Sequence, residues 1–280
     1  MIEETKLMPA LYLVGTPIGN LSDMSPRGVQ TLKNADFIAA EDTRNSLKIL
    51  THFDIKRPLV SYYEHNKRER GEIIAKRILA GESCALVTDA GMPAISDPGE
   101  DLVVLCQELN IPVYAIPGPS AVVTAAALSG LSVGRFCFEG FLSTNKNERD
   151  AHLKGLNDEK RTMIFYEAPH KLKKTLLDLY NAFGNRKISV CRELTKIHEE
   201  VFRTTLEGAI EKYQELEPKG EFVLVLEGKN KEDAPFWQNL SIKEHFEFYN
   251  KDLSESDSMK AVAKDRGVSK SEIYKEIKVK

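Results

Sequence analysis

The sequence predicts an α/β protein made of two consecutive α/β domains and a small all-α domain at the C-terminal end. Three observations lead to this prediction. Short apolar, β-prone runs alternate with helix-like segments, which is typical of a largely parallel sheet. The alternation restarts near Gly118, and a polar stretch later precedes a purely helical pattern. We therefore divide the chain into residues 1–117, 118–228 and 236–280.

The first domain contains four strand-like runs, each apolar and bounded by turn residues. In chain order they are Ala10–Val14, Phe37–Ala40, Cys84–Thr88 and Val113–Ile116. A helix is predicted over Arg68–Glu82, because Ile73, Ile74 and Ile78 share one helical face. Gly81 can end this helix.

In the second domain the alternation starts again. Its strand-like runs are "RFCFEGFL", "RTMIFYEAPH", "KISVCREL" and "EFVLVLEG", and helix candidates separate them. The polar stretch Lys229–Pro235 offers almost nothing to bury and is typical of a linker. In the tail, Gly267 lies in a turn and Val268 packs beneath it. Ser269 caps the next helix, and Ile273 faces back. This helix-turn-helix-like pattern predicts either a nucleic-acid contact or a purely structural hairpin.

Composition excludes several classes of protein. With 42% hydrophobic and 29% charged residues, the 280-residue chain is neither disordered nor fibrous. No apolar run reaches the roughly 20 residues of a membrane span, and no export signal is recognisable, so we expect a cytoplasmic protein without a membrane partner. The four cysteines lie far apart, which indicates buried thiols in a reducing compartment. The net charge of −3 argues against a uniformly basic surface, whereas residues 259–280 carry a local charge of +4.

Three loops that follow strand-like runs are rich in glycine and proline: Val14–Asp23, Thr88–Gly99 and Ile116–Ala125. Loops that leave the carboxyl ends of parallel strands meet over one crevice, so these loops are expected to converge. None has a dinucleotide or P-loop glycine pattern. Asp89 supplies a carboxylate instead, which favours a positively charged ligand without phosphate. The alternative is that Asp89 caps a turn and the prolines only stiffen the loops.

Four stretches carry a resemblance to a known family. They are residues 11–44, 86–99, 116–131 and 165–172, which read "LYLVGTPIGNLSDMSPRGVQTLKNADFIAAEDTR", "LVTDAGMPAISDPG", "IPGPSAVVTAAALSGL" and "FYEAPHKL". In this order they resemble the signature stretches of the tetrapyrrole-methylase superfamily. Within it they are similar to the ribosomal RNA small-subunit methyltransferase I family. The resemblance runs from about Ala10 to Gly228, and the helix-turn-helix-like tail resembles that family's C-terminal extension.

The resemblance implies two α/β domains of the tetrapyrrole-methylase type with S-adenosylmethionine in the cleft between them. It implies methylation of the 2′-hydroxyl of a decoding-region cytidine in 16S ribosomal RNA, with this RNA or the assembled small subunit as substrate, and a homodimer. Carried over position by position, the implied cofactor-binding residues are Pro17, Asp89, Gly91, Met92, Ala94, Ile95, Ser96, Ser120, Ala121 and Tyr166. No metal is expected, because no His, Cys and carboxylate grouping has metal-ligand spacing.

Methyl transfer to a ribose hydroxyl needs alignment of a weak nucleophile and a group that takes its proton. The catalytic candidates are His65, Glu167, Asp42 and Arg44. His65 is the first choice for the base or for holding the ribose, with an exposed loop histidine as the alternative. Arg44 pairs either with an RNA phosphate or with Asp42, and Glu167 either acts in catalysis or orients the cofactor. Tyr62 and Tyr63 could stack an extruded base.

Two rival functions remain at this stage. The first is a tetrapyrrole-type or diphthine-type methylase that uses the same cleft on a substrate other than RNA, against which the basic tail argues. The second is a non-catalytic nucleic-acid-binding protein whose helix-turn-helix is the working part. Binding of S-adenosylmethionine would separate both methylase functions from an unrelated binding module.

Overall fold

The computed structural model describes residues 6–229, 237, 240–251 and 253–278. The chain divides into two compact units, Met1–Gly228 and Lys229–Lys280. The first unit contains both sheets. Apart from Lys229, the predicted linker Lys229–Pro235 lies outside the described residues.

The first sheet has five strands in the order β3-β2-β4-β1-β5, and all neighbouring pairs are parallel. The strands are β1 (Leu11–Val14), β2 (Phe37–Ala40), β3 (Leu59–Ser61), β4 (Cys84–Val87) and β5 (Val113–Ile116). Four of them are the runs predicted from the sequence. The fifth strand, β3, precedes the polar loop that contains His65, and its three half-buried residues are too few to show a periodicity.

Helices cover both faces of this sheet. The helices that cover it are α1 (Pro26–Asn34), α2 (Thr43–His52), α3 (Lys67–Leu79) and α4 (Glu100–Glu108), whereas the next helix, α5 (Ala121–Leu128), packs against the second sheet. Ile38 packs in a core on one face and Phe37 in a core on the other, as expected for a buried parallel strand. The helix predicted over Arg68–Glu82 is α3, which ends just before Gly81, and the φ of +103° at Gly81 turns the chain back toward β4.

The second sheet has the order β6-β7-β10-β8-β9 and is mixed. Its strands are β6 (Phe136–Phe141), β7 (Thr162–Glu167), β8 (Lys187–Arg192), β9 (Glu200–Thr205) and β10 (Phe222–Leu226). Only β6 and β7 pair in parallel, whereas β10 runs antiparallel to both β7 and β8. The largely parallel pattern expected from the sequence is therefore wrong for this half. The reason is that β9 returns directly beside β8 as a hairpin, without a crossover helix.

The second sheet also separates two cores. Its helices are α6 (Lys146–Gly155), α7 (Leu172–Phe183) and α8 (Leu206–Gln214). Phe165 and Leu224 pack in the core that includes α7 and α8. Ile164 and Val223, which alternate with them along the strands, pack in a core shared with α5 and with Ile18. The loop after β1 and the second sheet are thus parts of one packed body.

The second unit contains three helices among its described residues, α9 (Ile242–Asn250), α10 (Glu255–Arg266) and α11 (Lys270–Lys278). Gly267 ends α10 in the left-handed conformation, the Ser269 hydroxyl accepts a hydrogen bond at the start of α11, and Ile273 is fully buried. The prediction that Val268 packs beneath the turn is wrong. Its backbone N–H donates to the Ala263 carbonyl to close the helix end, and its side chain is 39% exposed.

Candidate active site

The three glycine- and proline-rich loops converge at the carboxyl edge of the first sheet, as predicted. Thr16 and Gly91 exchange two backbone hydrogen bonds of 2.8 and 3.1 Å, which join the loops after β1 and β4. The loop after β5 meets the same place, because Gly118 lies against the backbone of Gly15. The loops form one platform rather than three separate turns.

We expect Gly118→Ala to destabilise this platform. A Cβ at Gly118 would lie 2.7 Å from the carbonyl oxygen of Gly15 and 2.8 Å from its Cα, and backbone atoms cannot move aside cheaply. The expected loss is about 1–3 kcal/mol of the free energy of unfolding, measured by urea denaturation. Gly134→Ala is the matched control, since nothing lies within 4 Å of a Cβ there. Equal stabilities of the two variants would contradict the close approach.

A cavity of about 360 Å³ opens between this platform and the second sheet. The platform contributes its loop residues, and the second sheet contributes one cross-strand row. In that row Phe141, Tyr166 and Val223 are direct neighbours on β6, β7 and β10. The volume is within the range of small-molecule and cofactor sites.

The lining of the cavity is acidic. Its carboxylates are Glu41, Asp89, Asp97, Glu167 and Glu221. None of the described residues that line it is a lysine, an arginine or a histidine. Lys196 approaches from outside the lining and pairs with Glu221 at 2.8 Å. Such a surface attracts a cation and repels a phosphate, because uncompensated like charges in a partly desolvated cleft raise the electrostatic energy.

Asp97 is the carboxyl group of the lining whose pKa is changed most. Its burial raises its pKa to about 6, and the nearby carboxylates of Glu41 and Asp89 act in the same direction. Asp97 was not among the site residues predicted from the sequence, although it follows Asp89 in the same loop. Its position between two turn residues in "AISDPG" could have indicated a site residue.

The loop that carries Asp97 has a strained backbone. Ala94 and Ser96 adopt φ angles of +68° and +61°, a conformation that residues other than glycine rarely adopt. Each such residue costs on the order of 1–3 kcal/mol and persists only where surrounding contacts hold it. The alternation of these angles gives the loop its tight course, so that Ile95, Ser96 and Asp97 all reach the cavity.

Comparison with known proteins identifies the family. A family model described as "Tetrapyrrole (Corrin/Porphyrin) Methylases" matches residues 10–210. The chain belongs to this family. The resemblance and the fold class predicted from the sequence are thereby confirmed. Methylases of this family use S-adenosylmethionine as the methyl donor.

Several curated relatives are similar over most of their length. The protein from Halalkalibacterium halodurans is 49% identical over 268 residues, which cover 94% of this chain and 93% of that protein. The protein from Synechocystis is 46% identical, with 95% and 96% covered. The protein from Thermotoga maritima is 44% identical, and 79% of this chain matches 100% of it. All three are named "Ribosomal RNA small subunit methyltransferase I".

Two solved structures share the fold of the first unit. Diphthine synthase aligns with a TM-score of 0.59 at 16% identity, which covers 78% of this chain and 89% of that one. A cobalt precorrin-4 methyltransferase from cobalamin biosynthesis aligns with a TM-score of 0.57 at 18% identity, with 78% and 94% covered. At these identities the likeness concerns the fold alone.

The cavity fits the methyl donor of the family. The donor carries a positive sulfonium, an amino-acid end and an adenosine, but no phosphate. The acidic lining suits the positive groups, and Tyr166 and Val223 offer an apolar surface for the adenine ring. Within the described part of the chain, no group of three or more histidines, cysteines or carboxylates is placed to hold a metal. In the same residues, no helix combines the length and the apolar character that crossing a bilayer requires.

The cavity brings together most residues assigned to the cofactor by resemblance. The lining includes Asp89, Gly91, Met92, Ile95, Ser96, Ser120, Ala121 and Tyr166. It does not include Pro17 or Ala94. Pro17 is buried and its neighbour Ile18 lines the cavity instead, while Ala94 turns the chain so that Ile95 and Ser96 face inward.

Among the catalytic candidates, only Glu167 lines the cavity. Its side chain is buried and its carboxylate is already hydrogen-bonded. It accepts from the backbone N–H of Ala168 at 2.8 Å and from the hydroxyl of Thr175. Thr175 in turn accepts from the buried Arg149 at 2.8 Å. These bonds give Glu167 a structural role in the second half of the unit.

Asp42 and Arg44 lie beside the cavity, at the start of α2. Of the two alternatives for Arg44, the structure contains the ion pair with Asp42, at 2.8 Å, with the Arg44 side chain 86% exposed. The hydrogen bonds from Arg44 lower the pKa of Asp42 to about 2. The Asp42 N–H and the Asn45 amide both donate to the carboxylate of Asp89, at 3.3 and 2.9 Å. Asn45, which was not predicted from the sequence, therefore orients a carboxylate of the cavity.

His65 lies in the exposed loop after β3 and is not part of the lining. Its ring meets the ring of Tyr63 edge-on, with centroids 6.4 Å apart. The interpretation of Tyr62 as a stacking residue is wrong, because its side chain is buried in the core beside Phe37 and Ile74. Tyr63 is exposed.

Proposed function

We propose that this chain is an S-adenosylmethionine-dependent methyltransferase that methylates the 2′-hydroxyl of a cytidine ribose in the decoding region of 16S ribosomal RNA. The observation that carries the proposal is the lining of the cavity between the two sheets. It contains five carboxylates and, among the described residues, no basic side chain. The names of relatives that match more than nine tenths of this chain support the ribosomal RNA substrate.

The two rival functions have less support. A substrate other than RNA is named in the description of the family model and by structures below 20% identity, which inform the fold alone. A non-catalytic binding protein leaves the acidic cavity without a use. Relatives that are 46% and 49% identical to this chain carry the name of an RNA methyltransferase instead.

The residues that would hold the donor come from both sheets. When bound, the donor supplies a methyl group activated by a positively charged sulfur. Asp89 and Asp97 would face its positive groups, with Asp89 oriented by Asn45. Ser120 and Ala121 would border it from the loop after β5, and Tyr166 from the second sheet.

Asp97 is our candidate for the group that takes the proton of the 2′-hydroxyl. A base works best when its pKa is near the working pH, and the pKa of Asp97 is about 6. Glu167 is less suited, because its oxygens already accept two hydrogen bonds within the fold. A role for His65, Asp42 or Arg44 on the substrate side of the site stays a prediction.

The proposal is tested by methyl transfer to purified ribosomal subunits that lack the modification. Small subunits, large subunits and naked 16S RNA are each incubated with the full chain and methyl-labelled S-adenosylmethionine. We expect label in the small-subunit samples and a site that resists alkaline cleavage, because alkaline hydrolysis requires a free 2′-oxygen. Label on a base, or label confined to the large subunit, would contradict the proposal.

The second unit contributes RNA affinity in this proposal. Several of its basic side chains are paired within the unit, such as Lys260 with Asp257 and Lys278 with Glu255, so the effect of its charge is moderate. The relative from Thermotoga maritima is matched over its whole length by 79% of this chain, so about a fifth of this chain has no counterpart in it.

Deleting residues 232–280 is therefore expected to leave donor affinity unchanged and to lower methylation of small subunits about tenfold, through a higher KM. Binding through phosphate ion pairs weakens as salt rises, so the full chain should be more salt-sensitive than the truncated one and the deficit should shrink at high ionic strength. Isothermal titration and initial rates at two salt concentrations measure this. Full activity of the truncated protein would contradict a role of the tail.

We further propose a cytoplasmic homodimer. The substrate places the enzyme where ribosomes are assembled. An apolar partner surface is supported by Tyr114 on the edge strand β5 and by Val123 on α5, both exposed. Light scattering on the eluting protein should give twice the mass of one chain, and a monomer at micromolar concentration would contradict the dimer.

A further inference from the structure

An irregularity in β6 decides which side chain of this strand reaches the cavity. Phe138 lies opposite Ile164, but the next paired residue is Gly140 opposite Phe165, so Glu139 is an extra residue in the ladder. With regular alternation, Gly140 would lie opposite Tyr166 and Phe141 would point to the other face. The bulge reverses this, because a shift of one residue exchanges the faces of a strand. Phe141 is thereby opposite Tyr166 and lines the cavity.

Residues of the bulge lie against both the loop after β4 and the helix α6. Gly140 has a φ of +64°, and a Cβ there would stand in ordinary contact, 3.5 Å, with the hydroxyl of Ser96 on the strained loop. Glu139 pairs with His152 of α6, with 2.9 Å between carboxylate oxygen and Nε2. The position of Phe141 is therefore fixed by both halves of the unit.

The Phe141 side chain contacts Tyr166 and remains partly exposed to solvent. Its ring centroid lies 5.4 Å from that of Tyr166 at an angle of 58°, and Tyr166 in turn contacts Phe138 at 4.9 Å. Yet Phe141 is 55% exposed, although it lines the cavity. Ile95, on the opposite wall, also lines the cavity and is 50% exposed. Two large apolar side chains thus remain exposed in the lining, one from each half.

We infer that Phe141 stacks on the nucleobase of the nucleotide being methylated, with Ile95 on the opposite wall of the slot. This inference rests on the proposed function and names how its substrate is held. A base that has left its helix needs a new stacking partner, and an aromatic face supplies one. Holding the base fixes the attached ribose, whose 2′-oxygen must be aligned with the methyl group. Phe141 is a substrate-binding residue, and it moves no proton.

The test compares Phe141→Ala, Phe141→Trp and Phe141→Leu in the full chain, on small subunits with labelled donor. We expect Phe141→Ala to lower kcat/KM for subunits about 5- to 140-fold, the range that loss of one base–aromatic stack gives. Phe141→Trp should restore most of this, and Phe141→Leu little, since leucine has no π-face. Donor affinity by isothermal titration should change less than about twofold. Leu79→Ala, at an exposed position outside the lining, is the matched control and should behave as wild type.

Three outcomes would overturn the inference. A loss of donor affinity in Phe141→Ala that accounts for the whole fall in kcat/KM would mean that the ring stacks on the adenine of the donor. Unchanged kcat/KM would mean that the ring stacks on neither. In both cases an active wild type leaves the proposed function intact. A wild type that binds the donor but transfers no label to any RNA would overturn the proposed function, and this inference with it.

Discussion

Asp97→Asn is expected to lower methylation of small subunits by roughly 10²- to 10⁴-fold, the usual contribution of a general base. Asn keeps the size and the hydrogen-bonding shape of the side chain but cannot take a proton. It also removes one negative charge from a cavity that has no basic residue among its described lining, so donor affinity should fall as well. Single-turnover rates at saturating donor separate the two effects.

The same substitution is expected to stabilise the fold above about pH 6. The pKa of Asp97 is about 6 in the fold, above its ordinary value near 4. The unfolded chain therefore loses this proton first, and stability falls as pH rises from about 4 to 6, with the full loss above 6. Asn never ionises, so Asp97→Asn should gain about 1–2 kcal/mol at about pH 8 and little at about pH 4.

The controls for this position are the wild-type pH profile and Asp54→Asn. Asp54 carries an exposed carboxylate paired with Lys56, and its neutralisation should change neither rate nor stability measurably. The wild-type rate should fall as pH drops through about 6, by at most tenfold per pH unit for one proton. An Asp97→Asn variant with wild-type rate and wild-type stability would exclude both roles.

Arg149→Leu is expected to cost about 3–5 kcal/mol of the free energy of unfolding of the first unit. Arg149 is buried and donates to Asp178 at 2.6 Å and to Thr175 at 2.8 Å, and Thr175 donates to Glu167. Removing the guanidinium leaves the carboxylates of Asp178 and Glu167 without the buried positive charge of Arg149. Urea denaturation followed by circular dichroism measures the loss.

Arg161→Leu is the matched control for that variant. Arg161 forms a bidentate pair with Glu159, with distances of 2.7 and 2.9 Å, but its side chain is exposed to solvent. Exposed pairs contribute little, so the expected loss is below about 1 kcal/mol. Comparable losses for the two arginines would contradict the buried network and would reopen a catalytic role for the carboxylate of Glu167.

The fold was predictable where hydrophobic pattern and turn chemistry agree. The runs "FIAA" and "CALV" are apolar at every position, as strands covered on both faces are. The strand β9 was missed because "EVFRTT" mixes charged and half-buried residues at a sheet edge. The mixed direction of the second sheet depends on long-range pairing between β10 and its neighbours, which no local pattern records.

The site was predictable only as far as the resemblance extends. It led to Asp89, Ser120 and Tyr166, which line one cavity although they are distant in the sequence. It did not lead to Asp97, because its pKa is raised by burial and by neighbouring carboxylates that only the fold brings together. The face of β6 on which Phe141 lies could not be predicted either. Regular alternation along the strand would place Phe141 on the face away from the cavity, and the bulge in β6 moves it to the cavity face.

The central claim is that a positively charged, phosphate-free donor occupies the acidic cavity between the two sheets. Isothermal titration of the full chain with S-adenosylmethionine and, separately, with ATP tests it most directly, because the two ligands share adenosine and differ in charge. We expect saturable heat with S-adenosylmethionine and none with ATP at the same concentrations. No heat with S-adenosylmethionine, or tighter binding of ATP, would contradict the account.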